Sequence, residues 1–187
     1  MNHASRALNM KSIVVDNFFQ DPKLVIELSK TLEYNGPDDT EYWRGLRSQN
    51  LKDINKQFFT DVAQRMLYSF FETHYNYGVD GTMHFHKYNE SSSGDAYDVH
   101  TDGALYSAIV YLSPDTPMDN GTQLYRKVNN EYLPDVVYHN KFNRLIMFPG
   151  NVSHSAMNLV GGKDDRLTLI FFINQLEREG KWWNILF

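Results

Sequence analysis

The sequence predicts an α+β chain, mainly β, in which two helices precede and support an eight-stranded sandwich or jelly roll. Three observations predict it. Apolar residues recur every four positions in two early segments, as a helix requires. After Gly78 the pattern changes to short β-rich runs divided by Gly, Pro, Asn and Asp. The 187 residues, 42% hydrophobic and 22% charged, suit one domain that can bury its own core.

In chain order, residues 1–11 read as a loose leader and 12–187 as a single domain. Ser12-Ile13-Val14-Val15 is β-branched and short, a strand ended by Asp16-Asn17. Asp21-Pro22 supplies an N-cap and a proline at the first helical position. Leu24, Leu28 and Leu32 then share a face, so Pro22–Glu33 is expected to be helical, stopped by Asn35-Gly36-Pro37. Ile54, Phe58, Val62, Met66 and Phe70 form one i+4 row, with Phe59, Ala63, Leu67 and Phe71 beside it. Two adjacent rows give the wide apolar face of a helix lying across a sheet. The expected strands are Met83–Tyr88, Tyr97–Thr101, Leu105–Leu112, Thr122–Tyr125, Val136–His139, Arg144–Phe148, Ser153–Leu159 and Arg166–Asn174. Loops at Glu90–Asp98 and Ser113–Asn120 are expected to rim any pocket at the barrel mouth.

Composition narrows the chemistry. The chain has no cysteine, which excludes a thiolate nucleophile, a Cys-ligated metal and a disulfide scaffold. Any metal must therefore sit on imidazole and carboxylate. The formal charge of −5 argues against nucleic acid as a partner. No apolar run of membrane-spanning length occurs, and Met1–Met10 lacks the apolar core of a secretory signal, so the expected setting is cytoplasmic. Oligomeric state is not encoded in any pattern found.

The central chemical feature is His100-Thr101-Asp102. On a strand, residues i and i+2 point to one face, so this imidazole and carboxylate can hold one ion together. Arg144-Leu145-Ile146-Met147-Phe148-Pro149-Gly150 follows as an apolar strand running into a turn, and His154 lies just beyond. Two His and one carboxylate on one face of a metal leave open positions, the pattern of non-haem Fe(II) oxygenases. Arg166 and Thr168 share a face of the last long apolar strand, and an Arg there calls for an acidic partner such as a bidentate carboxylate ligand.

The order His-x-Asp, distal His, Arg-x-Thr resembles the Fe(II)/2-oxoglutarate-dependent dioxygenases. More narrowly it is similar to the small prolyl-4-hydroxylase-like branch of bacteria and phages, and Val15-Asp16-Asn17-Phe18-Phe19 followed by a helix resembles that branch's usual opening. The resemblance implies a double-stranded β-helix, cupin-like in its barrel. It implies hydroxylation of a C–H bond of a protein side chain, prolyl-type, or of a small molecule, with release of succinate and CO2. The implied iron ligands are His100, Asp102 and His154. Arg166, Tyr111, Tyr88 and Thr168 are the implied contacts of 2-oxoglutarate, and Gly121-Thr122-Gln123-Leu124-Tyr125 an implied pocket wall. Dioxygen is the second co-substrate and ascorbate an accessory reductant.

Two other readings compete. His84-Phe85-His86 with Glu90 resembles the first cupin motif, and a cupin-type site would use these three with His154. The His-x-Asp pair and Arg166 would then be unexplained. A metal-stabilised, non-catalytic binding module is the other, although a structural site has little use for open coordination positions. His74 and His139 lack partners at ligand spacing. Tyr97 and the pair Trp182-Trp183 are divided between substrate contact and packing.

Overall fold

Strict alternation along the central strands gives the major sheet two different faces, and everything else in the molecule is arranged by that difference. The computed structural model describes residues 12–38, 43–71, 77–88, 99–157, 166–178 and 181–184. The leader, His74, Glu90, Tyr97 and Asp164-Asp165 lie outside the described residues, as do the side chains of Trp182 and Trp183.

The elements run β1 (Ile13–Val15), α1 (Pro22–Lys30), β2 (Tyr34–Asn35), β3 (Leu46–Ser48), α2 (Leu51–Ile54), α3 (Lys56–Phe70) and β4 (Tyr77–Tyr88). They continue as β5 (Tyr106–Tyr111), β6 (Thr122–Val128), β7 (Glu131–Tyr138), β8 (Arg144–Pro149), β9 (His154–Ala156), β10 (Arg166–Arg178) and β11 (Lys181–Asn184). The major sheet has eight strands in the order β1-β8-β5-β10-β4-β3-β2, with β11 added on β10, and the minor sheet runs β7-β6-β9. The two stacked sheets form the expected double-stranded β-helix.

Local chemistry explains the helix boundaries. Asp21 accepts hydrogen bonds from the Lys23 and Leu24 amides, at 3.1 and 3.4 Å, and Pro22 opens α1. The helix ends at Lys30 rather than Glu33, because Tyr34 is drawn into pairing with Ser48. The second predicted helix is divided: Asn50 caps the single turn of α2, and Asn55 caps α3 through the Phe58 amide at 3.2 Å. The Asn50 side chain also accepts from the Met83 amide at 3.1 Å, which ties α2 to β4.

Helix α3 buries Phe59, Val62, Ala63, Met66, Leu67 and Phe70 against Met83, Phe85, Val110, Leu145, Met147, Leu169 and Phe171 of the sheet. These strand residues all belong to one face. At about 1.5–3 kcal/mol for each large side chain removed from water, this core dominates the stability. A smaller apolar cluster of Tyr111, Leu124, Tyr138, Ile146, Phe148 and Val152 fills the space between the two sheets.

Candidate metal and co-substrate site

Register builds the inner face of the major sheet. His86, Thr168, Tyr111 and Arg144 lie in one row across β4, β10, β5 and β8, and Tyr88 pairs with Arg166 beyond it. In the other direction come His84, Ile170, Ile109 and Ile146, and then Thr82, Phe172, Ser107 and Phe148. Every side chain chosen from the sequence on these strands falls on this one face, opposite the helix core.

His100, Asp102 and His154 come together at the Ser107 end, with one ligand atom from each within 4.8 Å of the others. His100 and His154 exchange backbone hydrogen bonds of 3.0 and 2.9 Å, which sets their rings side by side with centroids 4.5 Å apart. The expected strand through Tyr97–Thr101 reduces, in the described residues, to this one bridge. Asp102 lies past it, placed by its own amide, which donates to the Gly150 carbonyl at 3.0 Å. Gly150 is required there: a Cβ on it would stand 2.2 Å from the Ala104 carbonyl oxygen. The Pro149-Gly150 turn thus packs directly on the segment that carries Asp102.

The distances suit a shared ion. Asp102 Oδ2 is 3.2 Å from His154 Nε2, and Asp102 Oδ1 is 3.6 Å from His100 Nε2. Ligands at right angles around a metal at about 2.1 Å stand about 3.0 Å apart. His154 Nδ1 donates to the Val152 carbonyl at 2.9 Å, which fixes the ring with Nε2 turned toward the Asp102 carboxylate. Burial pushes the Asp102 carboxyl up, but hydrogen bonding from His100, His154 and Ser107 prevails and holds it well below the usual carboxylate range. An ionised carboxylate is the form that binds a divalent cation.

At the other end of the cavity Arg166 is only 3% exposed. Its guanidinium lies 5.3 Å from the Tyr88 ring centre and 5.6 Å from that of Tyr111. No carboxylate pairs with it among the described residues, and its buried Nε has no hydrogen-bond partner. Burying a charge without an anion costs several kcal/mol, so this pocket is built for an acidic ligand. Tyr111 is fully buried, its hydroxyl 2.8 Å from Thr122 Oγ1, and burial raises its pKa, so the phenol stays protonated. These residues fit a 2-oxoglutarate carboxylate, and the triad fits an Fe(II) ion with open positions.

The remaining expectations divide. His84 and His86 do not join His154: His84 Nδ1 bonds the Ser48 carbonyl at 2.8 Å, and His86 Nε2 donates to the Arg44 carbonyl. They fasten β3 and the strap before it to the sheet, so a cupin-type ligand set is not assembled among the described residues. Burial, reinforced by Arg47, depresses His86 to about 3 and keeps it neutral. The Ser113–Asn120 loop does not rim this cavity: Ser113–Thr116 face a separate depression of about 480 Å³ beside Lys30 and Lys87. Among the described residues the rim includes Trp43, Arg44 and Arg47; the Glu90–Asp98 loop, also expected there, lies outside the described residues. Sequence reasoning passed over these three, and over Ser107, whose hydroxyl donates to Asp102 Oδ2. The period-2 rule that links Ser107 to Tyr111 contained that signal; nothing comparable marks the strap.

The chain is similar in structure to a Pseudomonas putida prolyl-4-hydroxylase, with a TM-score of 0.52 at 18% identity over 88% of this chain and 92% of that one. It is similar to an oxidoreductase of the 2OG-Fe(II) oxygenase family from Burkholderia pseudomallei, with a TM-score of 0.57 at 14% identity over 87% and 84%. The fold is that of the 2-oxoglutarate–Fe(II) oxygenases. A third likeness is to the non-heme α-ketoglutarate-dependent epimerase SnoN of nogalamycin biosynthesis, with a TM-score of 0.56 at 10% identity over 88% and 79%. No protein-family model matches the sequence, and no curated protein matches it. No helix among the described residues is long and apolar enough to cross a membrane.

Proposed function

We propose that the protein is an Fe(II)- and 2-oxoglutarate-dependent dioxygenase that hydroxylates a C–H bond of a prolyl-type protein side chain or of a small molecule. The observation that carries the reading is the presence, in one cavity between the two sheets, of a two-His-one-carboxylate cluster and a buried arginine that has no carboxylate partner among the described residues. Either alone has other uses; together they match a metal and a dicarboxylic co-substrate.

His100, Asp102 and His154 would hold the iron and leave positions open. Arg166 would take the distal carboxylate of 2-oxoglutarate, with Tyr111 donating its phenolic proton and Tyr88 stacking beside the guanidinium. Thr168 is buried within the same row and adds a hydroxyl to that wall. Iron, when bound, supplies the redox chemistry that joins decarboxylation of 2-oxoglutarate to oxygen insertion. The balanced reaction is R–H + 2-oxoglutarate + O2 → R–OH + succinate + CO2. The residues' own work is to fix the metal, orient the co-substrate and keep water from the reacting atoms. The fold's prolyl hydroxylases favour the peptide substrate, the epimerase favours the small molecule, and the cytoplasm is the setting in which either would be met. Ascorbate would act only as an external reductant for the iron.

The test is succinate release. Protein loaded with Fe(II) and 2-oxoglutarate is expected to form succinate slowly in air without added substrate, and not without iron. Fully loaded protein that forms none would overturn the reading.

A further inference from the structure

His86 is a buried titratable group with no task in the reaction proposed above. It is 2% exposed, on the cavity face of β4, in the row of Thr168 and Tyr111. A polar ring costs free energy in such a place unless its hydrogen bonds are met. Its Nε2 donates to the Arg44 carbonyl, and the ring is neutral while it does so.

That ring touches two others. Residues i and i+2 of a strand share a face, and Tyr88 lies beside His86 with ring centres 4.2 Å apart. Trp43, in the strap before β3, meets the same imidazole edge to face at 5.6 Å. Tyr88 in turn lies 5.3 Å from the Arg166 guanidinium, within the range of a cation–π contact. One histidine thus joins the strap to the ring that backs the co-substrate arginine.

The strap also presses on Tyr88 directly. A Cβ on Gly45, at φ 87°, would stand 2.3 Å from the Lys87 carbonyl oxygen, 3.2 Å from Tyr88 Cδ1 and 3.3 Å from His86 Nε2. Glycine alone lets the backbone lie this close to both rings. The ladder does not reach this far: β3 meets β4 at Leu46–Lys87 and Arg47–His86. The bond from His86 to Arg44, one residue before Gly45, is placed to hold the contact. His84 bonds the Ser48 carbonyl at the opposite end of β3, four positions along β4 from Tyr88. Direction matters at Arg166, because a planar guanidinium takes a carboxylate through paired N–H bonds of fixed orientation.

We infer that His86 is a positioning residue for 2-oxoglutarate: by fastening the strap through Arg44 it seats Gly45 on Tyr88, and so aims the Arg166 guanidinium at the acid. This rests on the oxygenase reading. Linkage makes the coupling reciprocal, so the bound acid in turn holds the strap in place.

The experiment uses the full chain, anaerobic and loaded with Fe(II). If 2-oxoglutarate then gives no visible band, the oxygenase reading itself is defeated. With the band present, its titration measures 2-oxoglutarate affinity, and calorimetry measures Fe(II) affinity. His86→Phe keeps a ring beside Tyr88 but loses the donor. It should bind 2-oxoglutarate about tenfold more weakly, the scale of a lost supporting hydrogen bond, with Fe(II) affinity unchanged. His86→Gln returns an N–H donor and should recover part of the loss. His84→Phe removes the other bond to β3 and should bind 2-oxoglutarate as wild type does. A measurement on the wild type does not depend on any variant folding. There, 2-oxoglutarate should slow trypsin cleavage after Arg44 by about tenfold more than cleavage after Arg126, which is exposed in the β6–β7 hairpin. Wild-type affinity in His86→Phe, an equal loss in His84→Phe, a matching loss of Fe(II) affinity, or no greater protection at Arg44 than at Arg126 would each overturn the inference while the oxygenase reading stands.

Discussion

The two faces of the major sheet are made from alternate residues of the same strands, yet they do opposite work. On the helix side, Met83, Phe85, Leu169 and Phe171 are fully buried, apolar and packed on α3. On the cavity side, one residue away in each case, stand His84, His86, Thr168, Ile170 and Phe172. Tolerance to change differs accordingly. The helix face sets how stably the sheet forms, and the cavity face sets what it can hold. Packing is satisfied by many side chains of the right volume, whereas a buried guanidinium and an ionised carboxylate are satisfied only by partners of stated charge and geometry.

Substitutions on each face can break this division. Arg166→Gln removes the positive charge that the anion-binding end of the cavity is built around. It should weaken 2-oxoglutarate binding by about 100-fold, the usual scale for truncating a buried ion pair, with Fe(II) affinity retained. Calorimetry with each ligand separately checks both halves. Phe171→Ala, on the opposite face of the same strand, should cost about 3–5 kcal/mol in chemical denaturation through a cavity opposite Phe59. A loss below about 1 kcal/mol would show that α3 does not depend on this face. Ser107→Ala tests the supporting layer of the site. Losing the hydroxyl on Asp102 Oδ2 should weaken Fe(II) binding by about tenfold with little change in stability. Unchanged iron affinity would mean that the backbone alone positions Asp102.

The sequence carries the helix face most plainly. Period-4 rows in α3 and period-2 apolar residues in β5, β8 and β10 announce themselves because burial is a statistical property of many residues. The triad was legible for a different reason: with cysteine absent, few residue types remained to hold a metal, and their order along the chain is distinctive. What stayed hidden depends on contacts rather than on pattern. β7 begins at Glu131, earlier than expected, because the hairpin is exposed and its residues show no apolar alternation. β2 and β3 are two and three residues long, too short for any period to show. The Trp43–Arg47 strap becomes part of the cavity only because His84 and His86 reach back to hold it. Those same histidines, read in isolation, suggested a second metal motif; one ring nitrogen of each proves to be bonded to a backbone carbonyl.

The central claim is that the cavity between the two sheets holds iron and 2-oxoglutarate side by side. Anaerobic titration of the Fe(II)-loaded protein with 2-oxoglutarate tests it most directly. The account predicts a visible metal-to-ligand charge-transfer band that saturates at one equivalent in the wild type and is lost in Asp102→Ala. Iron that binds fully but gives no band, or a band that persists undiminished in Asp102→Ala, would contradict it.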